Sequence, residues 1–482
     1  MATLQPLPSP YDRREPAARC SFPRAIPRWP RAYSVAPQPG TVGHGEALVK
    51  LIAPARPGTR GRFRRRAPLL LTLALVVLWA TLGLAAAAPV AFVREDVLIS
   101  PPDTRYHAGP ALALDGLGNA LVVWQGEHAE APGSDILGRR FGPGGPPGGA
   151  LFRVNAAPAG EQRRPAVACN EPGVCVVVWD TDTSQVYARR FTADGTLPSD
   201  DLPISAGTPG RHFDAAVAVA ADGAFVVAWE FSASDGEGVL VRRFNADGTP
   251  HGDAVRPAVP TTGLAIQLNP TLAMLPDGGF ALAWEELEFS GVTPRSTLWL
   301  RRYNADGAPT GAALEVAAAP GEEQRDPALV AGPDGTLTLA WAAHLAEGSD
   351  AIRVRRYTPA GEPIGPATTL SAPTPGARFS PAVAAGAADS ALVAWAEPGG
   401  PVARRLDASG AASGEPFFPR SSAPSRAVGR VAVATGPAAE APLWLVWSQV
   451  AQSSAGGETA SAIFGRRYGP GGYTVALPLL QR

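Results

Sequence analysis

Three carboxylates, Asp180, Glu230 and Glu285, each directly follow a tryptophan: Trp179, Trp229 and Trp284. Acidic groups at equivalent positions suit hydrolysis of a glycosidic bond, one acting as acid and another as base or nucleophile. Distance weighs against that chemistry. Groups on separate packed sheets start about 10 Å apart. A retaining pair needs roughly 5–5.5 Å and an inverting pair roughly 6.5–9.5 Å. A shared metal ion would require still closer approach.

Other chemistry-bearing residues fall in the stretches after successive tryptophans. Glu127, His128, Glu130 and Asp135 follow Trp124. Glu286, Glu288, Phe289 and then Trp299 follow Glu285, and Ser-Asp steps occur at Ser134-Asp135, Ser234-Asp235 and Ser349-Asp350. His107, His128, His212, His251 and His344 are scattered without ligand spacing, so no metal site is expected. No Gly-rich phosphate cradle opens a helix and no Gly-x-Ser-x-Gly elbow occurs, so no cofactor is expected either.

These residues must be positioned by a repeat. Trp124, Trp179, Trp229, Trp284, Trp341, Trp395 and Trp447 lie 55, 50, 55, 57, 54 and 52 residues apart. Each is followed by an Arg-Arg pair: Arg139-Arg140, Arg189-Arg190, Arg242-Arg243, Arg301-Arg302, Arg355-Arg356, Arg404-Arg405 and Arg466-Arg467. Such a period marks units that bury their apolar surface only against one another.

The third unit shows how each is built. Ala215–Ala220 is an apolar run, Asp222-Gly223 signals a tight hairpin, and Phe225–Trp229 is a second run. Val239–Phe244 follows, then a turn at Asn245-Ala246-Asp247-Gly248 and a weaker segment near Ala254-Val255. That pattern predicts four short strands and no helix. The first two runs are apolar throughout, which implies burial on both faces, as radially stacked sheets provide. The chain is therefore expected to be all-β, a seven-bladed β-propeller of four-stranded antiparallel blades over residues 92–482. Either Glu95–Ser100 or Tyr473–Leu480 should complete the seventh blade, and the N-terminal segment is expected to lie beside it.

Whatever recurs in all seven units is explained by packing. The tryptophans should fill the gaps between blades, and one arginine of each pair should enter the gap and stack on the Trp. Function is therefore sought where blades differ. From Trp to Arg-Arg the spacing is 15, 10, 13, 17, 14, 9 and 19 residues, which makes the loop between strands two and three the variable one. Variable loops on a rigid frame are where binding sits. Glu127, Asp135, Asp180, Glu230, Asp235, Glu285, Phe289, Trp299 and Asp350 are the candidate ligand-binding residues of that face.

Residues 1–66 carry 13 Lys/Arg against 3 Asp/Glu and read as a disordered, Pro-rich basic tail. The remainder holds 29 basic and 40 acidic residues, and this negative body excludes nucleic acid as a partner. Residues 67–91 contain the apolar run Leu69–Ala88, long enough to span a bilayer. Arginines precede it and Ala85–Ala88 end it, so it reads as a cleaved signal peptide or a retained anchor. Either way the body is expected to be exported. A translation start near Val49 is a further expectation. Cys169 and Cys175 lie on either side of the turn Asn170-Glu171-Pro172-Gly173 and should face each other across a hairpin, within disulfide range.

The run Asp222-Gly223-Ala224-Phe225-Val226-Val227-Ala228-Trp229, with Arg242-Arg243-Phe244-Asn245-Ala246-Asp247-Gly248-Thr249-Pro250 after it, resembles the repeat of exported bacterial β-propeller proteins. The likeness covers about residues 96–482 and implies secretion and binding more than catalysis. Sialidase Asp-boxes, integrin-type calcium loops, kelch and WD40 signatures and haemolysin-type calcium nonapeptides are missing. The resulting expectation is a monomeric, exported or membrane-tethered binding module that recognises a protein or a glycan. A glycan-directed hydrolase or lyase and a structural envelope protein are the alternatives.

Overall fold

A computed structural model describes residues 97–468, apart from residues 102–104, 128–132, 145–149, 157–159, 197–199, 235, 259–264, 290–293, 317–320, 346–347, 373–378, 398–399, 418–427, 437–442 and 452–459. The basic tail, the apolar run at 69–88 and the candidate closing strand Tyr473–Leu480 lie outside them, as do His128, Glu130 and Asp235. Among the described residues no helix is long and apolar enough to cross a membrane.

Seven four-stranded antiparallel sheets form a β-propeller. In blade three the strands are Arg211–Val219, Phe225–Ala233, Gly236–Phe244 and Pro250–Val255, paired in chain order from the inside outward. First strands of successive blades lie against one another, and that of blade seven lies against that of blade one, so the ring is closed. The seventh sheet takes its fourth strand from the other end of the chain. Val97–Leu98 pairs antiparallel with Ala460–Tyr468, and Ile99 behind it is fully buried.

The second strands explain the uninterrupted apolar runs. Phe225, Val226, Val227, Ala228 and Trp229 are all completely buried, because a neighbouring blade covers each face. Seven apolar clusters occupy the seven blade interfaces. Each holds one of the repeated tryptophans packed against the preceding blade, from Trp124 against blade seven to Trp447 against blade six. Burying each indole removes about 150–250 Å² from water.

The arginine pairs differ from expectation. No guanidinium stacks on these indoles among the described contacts; Arg242, Arg301 and Arg355 instead lie over Phe244, Tyr303 and Tyr357, two residues on, at 5.8–6.0 Å. The cross-strand register is the reason. Trp229 faces Leu240, not Arg242, while residues two apart in a strand share a face.

The guanidiniums fasten blades together. The first arginine reaches a carbonyl of the preceding blade: Arg189 to Val154 at 2.6 Å, Arg242 to Ala206 at 3.3 Å and Arg404 to Leu370 at 2.8 Å. The second reaches a hairpin of the following blade: Arg243 donates to Gly278 at 3.4 Å and Arg467 to Pro143 at 2.6 Å, across the ring closure.

Candidate functional site

The first strand of every blade begins earlier than its apolar run suggests, and its pairing slips partway along. The shift falls between Arg163 and Ala166 in blade two, Phe213 and Ala216 in blade three, and Leu268 and Thr271 in blade four. One residue per blade sits at this bulge: Gly109, Arg164, Asp214, Asn269, Asp326, Ser380 and, by register, Arg430. The first six have φ of +59, +50, +47, +50, +50 and +46°. For a residue with a Cβ that conformation costs about 1–2 kcal/mol, least for Asn and Asp. The bulge turns this residue toward the axis.

Behind the ring lie the carboxylates that follow the tryptophans. Asp180, Glu230 and Glu285 are 1, 2 and 4% exposed. Each accepts the backbone N–H of the bulge residue in the next blade. Asp214 donates to Asp180, Asn269 to Glu230 Oε1 at 2.7 Å and Asp326 to Glu285 Oε2 at 3.3 Å. They thereby hold the strained bulges of blades three to five. The equivalent residues elsewhere are Gln125, Ala342, Ala396 and Ser448, which carry no carboxylate.

Side chains complete the network. Arg164 Nε and Nη2 grip Asp180 at 2.9 and 2.7 Å, and its Nη1 reaches Asp214 Oδ2 at 3.1 Å. Asn269 Nδ2 donates to Glu285 Oε2 at 2.9 Å, so this one residue links two carboxyls. Ser296 donates to Glu285 Oε1 at 2.7 Å. Burial pushes Asp180 up to about 6, against the pull of Arg164. Glu230 is raised well above the carboxylate range by burial and then by the charge of Asp214. Burial likewise raises Glu285, opposed by its bonds from Ser296 and Asn269. Burial alone would lower Arg164, but Asp180 and Asp214 outweigh it and hold the guanidinium charged.

A cavity of about 450 Å³ lies on the axis. Its wall is built from the bulge residues Arg164, Asp214, Asn269, Asp326, Ser380 and Arg430 and the small residues after them, with blade one contributing Pro110 to Leu112. Asp180, Glu230 and Glu285 are not part of that wall.

The remaining candidates are dispersed. Glu127 accepts the N–H of Tyr106 at 3.0 Å, Asp135 accepts from Asn155 Nδ2 at 2.8 Å, and Asp350 pairs with His344 at 2.8 Å. Phe289 is exposed at the end of its strand. Trp299 belongs to the scaffold: it is the cross-strand partner of Trp284 and packs on the apolar cluster between blades three and four. His107 and His212 are fully buried and accept the indole N–H of Trp124 and Trp229 at 3.2 and 3.1 Å. Among the described residues no group of His, Cys, Asp and Glu is placed to hold a metal ion. Cys169 and Cys175 form a disulfide across their hairpin, with Cα atoms 4.0 Å apart.

The bulge ring escaped the sequence reading, although a signal was present. A Pro or small apolar residue follows each bulge residue, and Gly109, Arg164, Asp214, Asn269, Asp326 and Ser380 all stand fifteen positions before their tryptophans.

No family model and no curated protein matches the sequence. Among solved structures, a protein of unknown function from Dyadobacter fermentans is 13% identical, with 79% of this chain and 99% of that one covered at a TM-score of 0.48. An α-L-arabinanase from Penicillium chrysogenum, complexed with arabinobiose, is 15% identical over 62% of this chain and 93% of its own, at 0.44. The α-L-arabinofuranosidase of Fusarium graminearum is 13% identical over 62% and 92%, at 0.43. Likeness at this level bears on neither ligand nor activity.

Proposed function

We propose that the protein is an extracytoplasmic binding module that recognises a glycan at the axial cavity and the variable-loop face around it. The carrying observation is a set of unlike polar residues, one from each of blades two to seven, around the axis of an otherwise symmetric frame. Arg164 and Asn269 commit part of their side chains to the buried carboxyls. The bulge itself does not dictate the residue type, so Asp214, Asp326, Ser380 and Arg430 support a surface that reads a ligand. Guanidinium, carboxylate and amide groups are planar and can engage two hydroxyls at once. A glycan suits this wall better than a protein does. Protein interfaces centre on buried aromatic and aliphatic anchors, whereas the large exposed apolar residues here are dispersed: Tyr106 and Leu117 at opposite ends of blade one, Val255 in blade three and Phe289 in blade four. Export is supported by the apolar run at 69–88 and by a disulfide, which persists in oxidising compartments.

A glycan-directed hydrolase is the second reading. It is favoured by Glu230, a carboxyl raised by burial beside the Asp214 carboxylate, as a general acid would be. Against it, Glu230 is 2% exposed, is engaged by Asn269 and does not line the cavity.

The test is a glycan array probed with the purified full-length chain and with Arg430→Gln. Saturable binding weakened by the substitution supports the reading. Absence of any glycan ligand, or glycan binding indifferent to Arg430, would refute it.

A further inference from the structure

The cavity wall is unevenly charged. Blades two to five present Asp214 and Asp326, and their one cation, Arg164, is already held by Asp180 and Asp214. Asp326 accepts the N–H of Ser380 at 3.4 Å and lines the cavity, with no cation paired to it among the described residues. On the other side, Arg430 lines the same cavity, and no carboxylate pairs with it among the described residues. An unpaired guanidinium and an open carboxylate thus share one concave space, two blades apart.

The fold asks for no charge at either position: the N–H of Ser380 needs an acceptor oxygen, which an amide would supply as well as the carboxylate of Asp326. The bulge at position 430 exists by register alone, and Ser380 keeps it in blade six without any charge. Two opposite charges on one cavity wall, without charged partners among the described residues, are available to a ligand that carries both signs. In a partly enclosed cavity such matching is worth more than at an open surface, because water screens it less.

We infer that the axial cavity selects a zwitterionic sugar ligand, its carboxylate on Arg430 and its ammonium on Asp326. This rests on the glycan reading above and narrows it. A neutral oligosaccharide would leave Arg430 and Asp326 without partners as it displaced their water. A purely anionic one would meet Asp214 and Asp326, and a purely cationic one would meet Arg430.

The experiment uses four matched disaccharides of a glucosamine joined to a glucuronic acid: the free zwitterion, the N-acetylated form, the carboxyl-reduced form, and the form with both changes. Affinities are measured by calorimetry on the full-length chain, on Arg430→Gln and on Asp326→Asn. Asn tolerates the bulge conformation, so the second substitution preserves the backbone. The zwitterion is expected to bind about tenfold tighter than either singly blocked form. Arg430→Gln should erase the advantage of the carboxylate only, and Asp326→Asn that of the ammonium only. Equal binding of all four forms overturns this inference while leaving the glycan reading standing. Failure of all four to bind overturns it too, and the array then decides the wider reading alone. Circular dichroism of both variants, unchanged from the parent, excludes unfolding as the cause of any loss.

Discussion

The backbone N–H of Asn269 donates to Glu230 Oε1 at 2.7 Å, across the boundary between blades three and four. One contact joins two features the sequence shows separately: a carboxylate after a tryptophan and a bulge before an apolar run. It turns an apparent catalytic residue into a fastener. Glu230→Ala should therefore destabilise the propeller by about 1–3 kcal/mol, the cost of leaving a buried N–H unpaired. Glu230→Gln keeps an acceptor oxygen and should stay close to the parent. Chemical denaturation midpoints distinguish the two, and equal loss in both variants would remove the fastening role.

The buried carboxyls also give stability a direction with pH. Burial raises Asp180 to about 6, above its ordinary 3.8, and raises Glu230 and Glu285 as well. Between its unfolded and folded pKa each group binds more protons when folded. Its contribution is thus complete below the unfolded value and lost as pH rises through the folded one. For Asp180 that window runs from 3.8 to about 6. Stability of the parent should gain from Asp180 as pH falls through about 6, and Glu230 and Glu285 act in the same direction. The double variant E230Q/E285Q should gain less stability on acidification than the parent; an identical gain would contradict the assignment.

Tryptophans that look equivalent in sequence should respond differently to substitution. Trp229 donates its indole N–H to His212, while no acceptor among the described residues meets that of Trp284. Replacement by Phe removes similar area at both sites, but only Trp229→Phe leaves a buried acceptor unpaired. Thermal melts should place it about 1 kcal/mol below Trp284→Phe.

The Cys169–Cys175 bridge closes a short hairpin loop. Replacing both cysteines by Ala should cost about 2 kcal/mol on the chain-entropy account. The parent should lose the same amount in reductant and the variant should be insensitive to it.

The architecture was legible because packing repeats. Trp and Arg-Arg recur since every blade must fill the same gap, and Val97–Leu98 resembles a fourth strand since it serves as one. The direction of the arginines was not legible, because cross-strand register decides whether Arg242 or Leu240 faces Trp229. The bulge ring was hidden for a different reason. Gly, Arg, Asp, Asn and Ser share no residue type, and a bulge shows only in the pairing of two strands. Asp180, Glu230 and Glu285 stood out for the converse reason: their shared charge suggested chemistry, while their partners are main-chain groups that a sequence does not display.

The most direct measurement compares binding with turnover on the tightest glycan found by the array, for the parent, Glu230→Gln and Arg430→Gln. The account predicts no release of reducing ends by the parent, affinity within about twofold of it for Glu230→Gln, and about tenfold weaker binding for Arg430→Gln. Release of reducing ends by the parent, abolished in a folded Glu230→Gln protein, would contradict it.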